Sequence, residues 1–165
     1  MRTDLENKGL SANSYRFAIV VSRWNGHITS KLLSGARRAL AEANAAVVDT
    51  FEVPGAFELP LASLQAAKTT KYDAVVALGT VIRGETVHFD LVAENAARGI
   101  AEASLETGVP ILFGVLAVEN IDQANARSGD GDDNAGYMAA ISAIEMATVL
   151  AKIDPKNSAR SSSAK

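Results

Sequence analysis

The sequence predicts a single α/β domain in which a four-stranded parallel sheet lies between two layers of helices. Three observations predict it. Short apolar runs alternate with amphipathic stretches at helical spacing along the 165 residues. Two of the runs, AVVAL at 74–78 and PILFGVL at 110–116, lack polar alternation, as strands buried on both faces do. The strands are separated by helix-length segments, and such crossovers join parallel strands with a right-handed sense.

Residues 1–14 are polar and read as an N-terminal arm, with the domain occupying 15–153 and a mobile tail at 154–165. The first strand is YRFAIVV at 15–21. The chain then turns between Trp24 and Ile28 into a helix carrying Ile28, Leu32, Ala36, Ala39, Leu40 and Ala43 at helical spacing. The second strand, 47–53, places polar residues on both faces and reads as an edge. Pro54 and Gly55 stop it, and a helix over 56–68 tolerates Pro60 near its first turn.

The third strand, 74–78, ends at Gly79. A polar turn through Arg83, Gly84, Glu85 and Thr86 follows, and Thr86 is placed to cap a helix running to Thr107. After Gly108 comes the fourth strand. Asn120 and Gln123 resemble a capping box for a short helix ending near Arg127, and the last helix spans 136–152. With the second strand at an edge, the economical order is 2-1-3-4. That is a flavodoxin-like three-layer αβα sandwich with a switch point between strands 1 and 3.

Composition narrows the function classes. Apolar residues make up 48% of the chain, enough for a sizeable core, and the formal charge of −3 without a basic block excludes nucleic acid and anionic membranes as expected partners. There is no cysteine, which removes thiolate catalysis and thiolate metal sites. The two histidines lie far apart in sequence and make no metal-ligand spacing, so no metal and no cofactor is expected. The polar N-terminus lacks a signal-peptide core, and no apolar run is taken to approach membrane-spanning length, so a cytoplasmic protein is expected.

The strand ends carry the candidate chemistry. Trp24 and Phe57 on one rim, in a chain with only 5% aromatic residues, form either a stacking surface for a flat ligand or a cover for the end of the core. Glu58 either binds hydroxyls or complements a helix dipole. Backbone groups of Thr80, Val81 and Ile82 are placed to read a heterocycle's edge. His88, opening a helix, is a proton-transfer candidate or an ordinary solvated imidazole. His27 reads as structural. Arg127 is either a phosphate ligand or a cation near a helix C-terminus.

Three motif near-misses are rejected. GTVIRGET at 79–86 has P-loop spacing, but Glu85 stands where a lysine must reach a triphosphate. The loop's backbone amides still suit a single phosphate. GDGDDN at 129–134 lacks the third glycine of a dinucleotide loop. The same stretch starts like a calcium loop but has Ala135 for the glycine and Ile141 for the closing glutamate.

Taken together, VPGAFELP at 53–60, ALGTVIRGETVHFD at 77–90, SLETGVP at 104–110, FGVL at 113–116 and DQANAR at 122–127 resemble the lumazine synthase family, in order and in spacing. The resemblance covers residues 15–150. It implies condensation of 5-amino-6-(D-ribitylamino)uracil with L-3,4-dihydroxy-2-butanone 4-phosphate to give 6,7-dimethyl-8-ribityllumazine, phosphate and water, the penultimate step of riboflavin synthesis. It also implies roles. Trp24 stacks on the pyrimidine; Ala56, Phe57 and Glu58 hold the ribityl chain; Thr80, Val81 and Ile82 hold the ring's polar edge; Phe113 walls the pocket. The amides of Glu85 and Thr86, with Arg127, bind phosphate, and His88 shuttles protons.

The resemblance further implies a homo-oligomer, a pentamer at least, with active sites between subunits, so that Phe113 and Arg127 would face the other substrate-binding loops from the adjacent chain. The loop from Arg127 to Gly136 has the shorter length that leans toward a sixty-subunit shell, and riboflavin synthase is the associated partner enzyme. The arm at 1–14 is then placed to add a strand to a neighbour's sheet edge. The sequence departs from the family pattern at Gly131 and Ala135, where lysines are usual, and at Val87, where proline is usual. The first departure predicts weaker binding of the phosphate-bearing substrate.

Overall fold

The computed structural model describes residues 9–154. Strand β1 (Arg16–Ser22) is central, and every side chain after Arg16 is buried. It pairs in parallel with β2 (Val47–Val53) on one side and β3 (Ala74–Ile82) on the other, and β3 pairs in parallel with β4 (Ile111–Val118). The observed order is β2-β1-β3-β4, as the apolar pattern predicts.

Helices α1 (Gly26–Glu42) and α5 (Ala135–Ile153) cover one face. There Phe17, Ile19 and Leu78 from the strands meet Ile28, Leu32, Leu40, Ile141 and Ile144. Helices α2 (Leu59–Lys68) and α3 (His88–Thr107) cover the other, where Val20, Val75 and Ala77 meet Leu59, Phe89 and Ile100. The apolar stripe of α1 is buried as its spacing requires; fully burying one leucine such as Leu32 contributes about 1.5–3 kcal/mol. The short helix α4 (Ile121–Ala126) follows β4. It has the predicted cap: Asn120 Oδ1 accepts from the Gln123 N–H at 3.0 Å, while Gln123 Oε1 accepts from the Glu119 N–H at 2.9 Å.

The edge strand β2 leaves Val48 and Phe51 partly exposed. It is tied down from β3's approach, where the Tyr72 hydroxyl donates to Asp49 at 2.7 Å and the Tyr72 ring meets Phe51 edge-on.

Four expectations need correction. First, Gly79 does not end β3. The strand continues to Ile82 because β4 continues beside it, pairing Gly79 with Val115 and Ile82 with Val118. Glycine is required at 79 for a close approach: a Cβ there would lie 2.9 Å from Leu59 Cδ1 and 3.2 Å from Ser22 Oγ. Second, α3 starts one residue later than a Thr86 cap predicts; Val87 holds the cap position, and Thr86 Oγ1 accepts from the His88 N–H at 3.4 Å. The segment 56–68 also begins as a single 3₁₀ turn, Ala56–Glu58, before α2.

Third, α5 is long and apolar enough to cross a membrane, with a mean hydropathy of 1.3 over its best window. Packing accounts for that composition, since Gly136, Ala140, Ile141 and Ile144 are buried in the α1–α5 core. Fourth, the inner end of the expected arm is docked: Ala12 is fully buried, and its N–H donates to the Ala43 carbonyl at 2.7 Å. Residues 1–8 and 155–165 lie outside the described residues. The expected strand donation and most of the expected tail fall on them.

The α1–α5 contact is the tightest helix crossing. A Cβ on Gly136 would collide with the Leu32 backbone. Gly136→Ala should therefore destabilise the protein by about 3 kcal/mol through overpacking, read as a lowered thermal midpoint. Gly129→Ala, where a Cβ meets nothing within 4 Å, is the control and should change little. Equal midpoints for the two variants would contradict this packing.

Candidate active site

The site begins where β1 stops. The β1–β3 ladder ends at Val21↔Leu78, whereas the β3–β4 ladder runs on to Ile82↔Val118. The last residues of β3 therefore overhang β1 and leave one backbone edge uncovered. Alternation fixes which groups face it: the N–H groups of Val75 and Arg83 donate toward β4, so the even-numbered residues between them, Thr80 and Ile82 included, face the β1 side and the notch.

Asn25 closes part of that notch. It has a left-handed backbone (φ 58), does not cap α1 with its side chain, and instead donates from Nδ2 to the Thr80 carbonyl at 2.9 Å. Asparagine tolerates this conformation better than most residues, and the Asn25-Gly26 pair is a turn signal. Thr80 and Val81 side chains are buried, so only backbone is offered there, and the Thr80 carbonyl is already taken. Ile82 is left as the backbone edge. Ala56 is buried beneath it; its Cβ lies 3.5 Å from where a Gly79 Cβ would stand.

Trp24 and Phe57 stand on this rim with 68% and 56% of their surfaces exposed, far more than a lid over the core would leave. The Trp24 N–H donates to the Pro54 carbonyl at 3.1 Å, which ties the first loop to the second. Glu58 Oε2 accepts from the Gly55 N–H at 2.9 Å, fixing its carboxylate beside Trp24. On the far side of the notch the segment after β3 carries Glu85, Thr86 and His88, all exposed.

One side chain anchors that segment. Arg83 donates twice to Asp90, at 2.9 and 3.2 Å, and from Nε to Glu119 at 3.0 Å, and its guanidinium lies 4.0 Å from the Phe89 ring centroid. The Arg83 hydrogen bonds hold the Asp90 carboxyl below the usual carboxylate range. The pairing is therefore complete above the ordinary aspartate pKa and is lost as pH falls through the lowered one. Nothing local in the sequence signals this cluster, because Glu119 is brought in by the sheet register.

Phe113 and Arg127, which the resemblance assigns to a neighbour's rim, stand away from this chain's own. Phe113, 45% exposed on edge strand β4, pairs with Ala77, three residues or roughly 10 Å before the Thr80↔Leu116 pair. Arg127 closes α4 on the α1–α5 side of the sheet: Ala124 belongs to that core, and Asn125 accepts from Lys31 at 3.4 Å. His88 instead opens α3, over the opposite face. Arg127 is exposed, and among the described residues no carboxylate pairs with it.

The loop between α4 and α5 is built on different contacts from those the sequence suggests. Buried Asn134 accepts from the Gly136 and Tyr137 N–H groups and donates to the Lys31 and Gly129 carbonyls at 3.1 and 2.8 Å. Arg38 binds Asp132 at 2.9 Å and the carbonyls of Asp130 and Gly131. A cleft of about 50 Å³ beside Tyr15, Tyr72, Asp73 and Pro110 lies at the other end of the sheet. It is too small for a bicyclic ligand, since ligand pockets are typically hundreds of Å³.

Fold and rim define an α/β protein that binds a small molecule at the carboxyl ends of a parallel sheet. Comparison with known proteins gives the particular family. The model described as 6,7-dimethyl-8-ribityllumazine synthase matches residues 14–151. Proteins named 6,7-dimethyl-8-ribityllumazine synthase from Chlorobium luteolum and Chlorobium phaeovibrioides are 53% and 52% identical to the chain, over 142 and 143 residues. These alignments cover 83% and 84% of this chain and 90% of each relative. One from Desulfotalea psychrophila is 50% identical, covering 86% of this chain and 92% of that relative. The chain belongs to the 6,7-dimethyl-8-ribityllumazine synthase family.

Asn25 offers a test of the rim. Asn25→Gly removes only the bond to Thr80 and should cost about 1 kcal/mol. Asn25→Ala adds a left-handed alanine and should cost about 2 kcal/mol or more. Denaturation followed by the fluorescence of Trp24, the chain's one tryptophan, measures both. Equal stability in all three proteins would contradict the arrangement.

Proposed function

We propose that this chain is a working 6,7-dimethyl-8-ribityllumazine synthase. It joins 5-amino-6-(D-ribitylamino)uracil to L-3,4-dihydroxy-2-butanone 4-phosphate and releases 6,7-dimethyl-8-ribityllumazine, phosphate and water. Membership of the family carries this reading, and the rim supports it.

The steps are imine formation between the pyrimidine's amine and the ketone, proton removal beside the imine, loss of phosphate and ring closure. Trp24 stacks on the pyrimidine, and Ile82 presents backbone groups to its polar edge beside Thr80 and Val81. Ala56, Phe57 and Glu58 hold the ribityl chain, with the carboxylate already oriented by Gly55. His88 moves protons, which an imidazole does near neutral pH without a tuned carboxylate. The amides of Glu85 and Thr86 and a guanidinium at Arg127 hold the phosphate in place as it departs. Aligning two substrates supplies much of the rate, so the burden on any one side chain is modest.

The complete site lies between neighbouring subunits of a pentamer in the cytoplasm. The separation of Arg127 and Phe113 from the rim supports this, as do the exposed apolar side chains Trp24, Phe57, Val87, Leu91, Phe113 and Ile121. A partner subunit supplies Phe113 and Arg127 to each rim. Larger shells, and association with riboflavin synthase, extend the same reading.

The loop after Arg127 favours weak binding of the phosphate-bearing substrate. Gly131 and Ala135 offer no cation, Asp130 and Asp133 are exposed carboxylates, and Arg38 is engaged in holding the loop. A binding protein with slow turnover is the second reading this loop favours. Mixing both substrates with purified protein and following lumazine fluorescence decides. Turnover no faster than the uncatalysed condensation would overturn the enzyme reading.

Two substitutions test the assigned roles. His88→Ala should lower kcat by about 10-fold to 100-fold, at the lower end of general acid–base effects because alignment survives. Arg127→Ala should raise KM for the phosphate substrate far more than for the pyrimidine. An unchanged rate in the first, or equal changes of both constants in the second, would refute those roles.

A further inference from the structure

We propose that Arg83 is a positioning residue for His88, acting through Asp90 and Phe89. The inference rests on the reading of His88 as the proton carrier and adds the device that holds it. Arg83 is the first residue beyond β3, and its backbone is fixed to the sheet by an N–H donated to the Val118 carbonyl at 2.9 Å. Its side chain reaches past the whole segment 84–88 to grip Asp90 with two parallel hydrogen bonds while lying over the Phe89 ring. The same guanidinium holds Glu119 at the end of β4. One side chain thus ties together the end of β3, the first turn of α3 and the residue after β4.

Among the described residues no other side chain bonds the end of β3 to the first turn of α3. Gly84, Glu85, Thr86, Val87 and His88 are all exposed, and α3 has no side-chain cap on its N-terminus. Within the segment, the 3.4 Å contact between Thr86 Oγ1 and the His88 N–H is long. Phe89 is buried in the α2–α3 core, so the Arg83–Phe89 contact also sets the rotation of α3's first turn, and with it the direction in which His88 projects. Ordinary exposed ion pairs contribute little to stability. A planar fork on a carboxylate, with a second carboxylate and a ring on its face, differs in fixing geometry, and lysine cannot reproduce it.

The test is a set of kinetic cycles with an exchange measurement. Arg83→Lys and Asp90→Asn should each lower kcat by about 10-fold or more while changing the pyrimidine KM by less than about 2-fold, as a misaligned catalytic group does. In a His88→Ala background, Arg83→Lys should lower kcat far less than it does alone, because the part of its effect that passes through the imidazole is gone and only the loosening of the Glu85 and Thr86 amides is left. Amide hydrogen exchange at 84–88 should quicken in Arg83→Lys and Asp90→Asn while exchange in α5 is unchanged. A full loss from Arg83→Lys in the His88→Ala background would overturn the proposal, as would unaltered kcat in both single variants or unaltered exchange at 84–88. If the unsubstituted protein forms no lumazine, the enzyme reading fails, and the exchange measurement alone decides whether Arg83 holds the segment.

Discussion

The overhang of β3 beyond the end of β1 is the constraint from which the candidate site follows. β1 leaves the sheet after Ser22 because its loop must cross to Trp24 and Asn25, whereas β3 is carried on to Ile82 by the longer β4. A parallel ladder that loses one neighbour exposes backbone groups at its switch point, where doubly wound sheets bind ligands. Gly79 lets Ser22, Ala56 and Leu59 crowd the base of this notch, and Asn25 spends its amide on the Thr80 carbonyl rather than on its own helix. The aromatic and acidic side chains of the rim are arranged around an opening that backbone geometry creates.

A second consequence is that His88 and Arg127 stand over different faces of the sheet. His88 heads a helix on one face of the sheet, while Arg127 follows a helix packed into the core of the other. The sheet lies between them, and this separation is what favours the proposed supply of Arg127 by another copy. Arg83 joins the two segments within the chain, since it grips Asp90 near His88 and Glu119 just before the helix that Arg127 follows.

Much of this was legible in the sequence, for identifiable reasons. Unalternated runs at 74–78 and 110–116 gave buried strands, the polar faces of 47–53 gave the edge, and helical spacing from Ile28 to Ala43 gave the stripe of α1. What escaped was non-local. Gly79 reads as a terminator when only its neighbours in sequence are considered, but its role comes from Leu59 and Ser22 packed against it. Ala12 looks like part of a polar arm until it is seen under Ala43. Asn134, weighed as a failed calcium ligand, is the buried cap of α5. The Arg83 clamp joins positions in three separate elements, and no periodicity carries such information. Which residues would share a site was legible only through resemblance, because periodicity describes one chain and the proposed place of Arg127 is at a junction between chains.

Complementation tests the proposed division of the site between subunits most directly. His88→Ala and Arg127→Ala chains are co-expressed, purified as mixed assemblies and assayed at a phosphate-substrate concentration far below the raised KM of Arg127→Ala, where each variant is impaired alone. If each site takes His88 from one chain and Arg127 from the next, random mixing leaves about one site in four intact, and turnover should rise to about a quarter of the unsubstituted rate. If both residues served the same site from one chain, every site in the mixture would carry a defect. Activity no higher than the average of the two variants would then contradict the account.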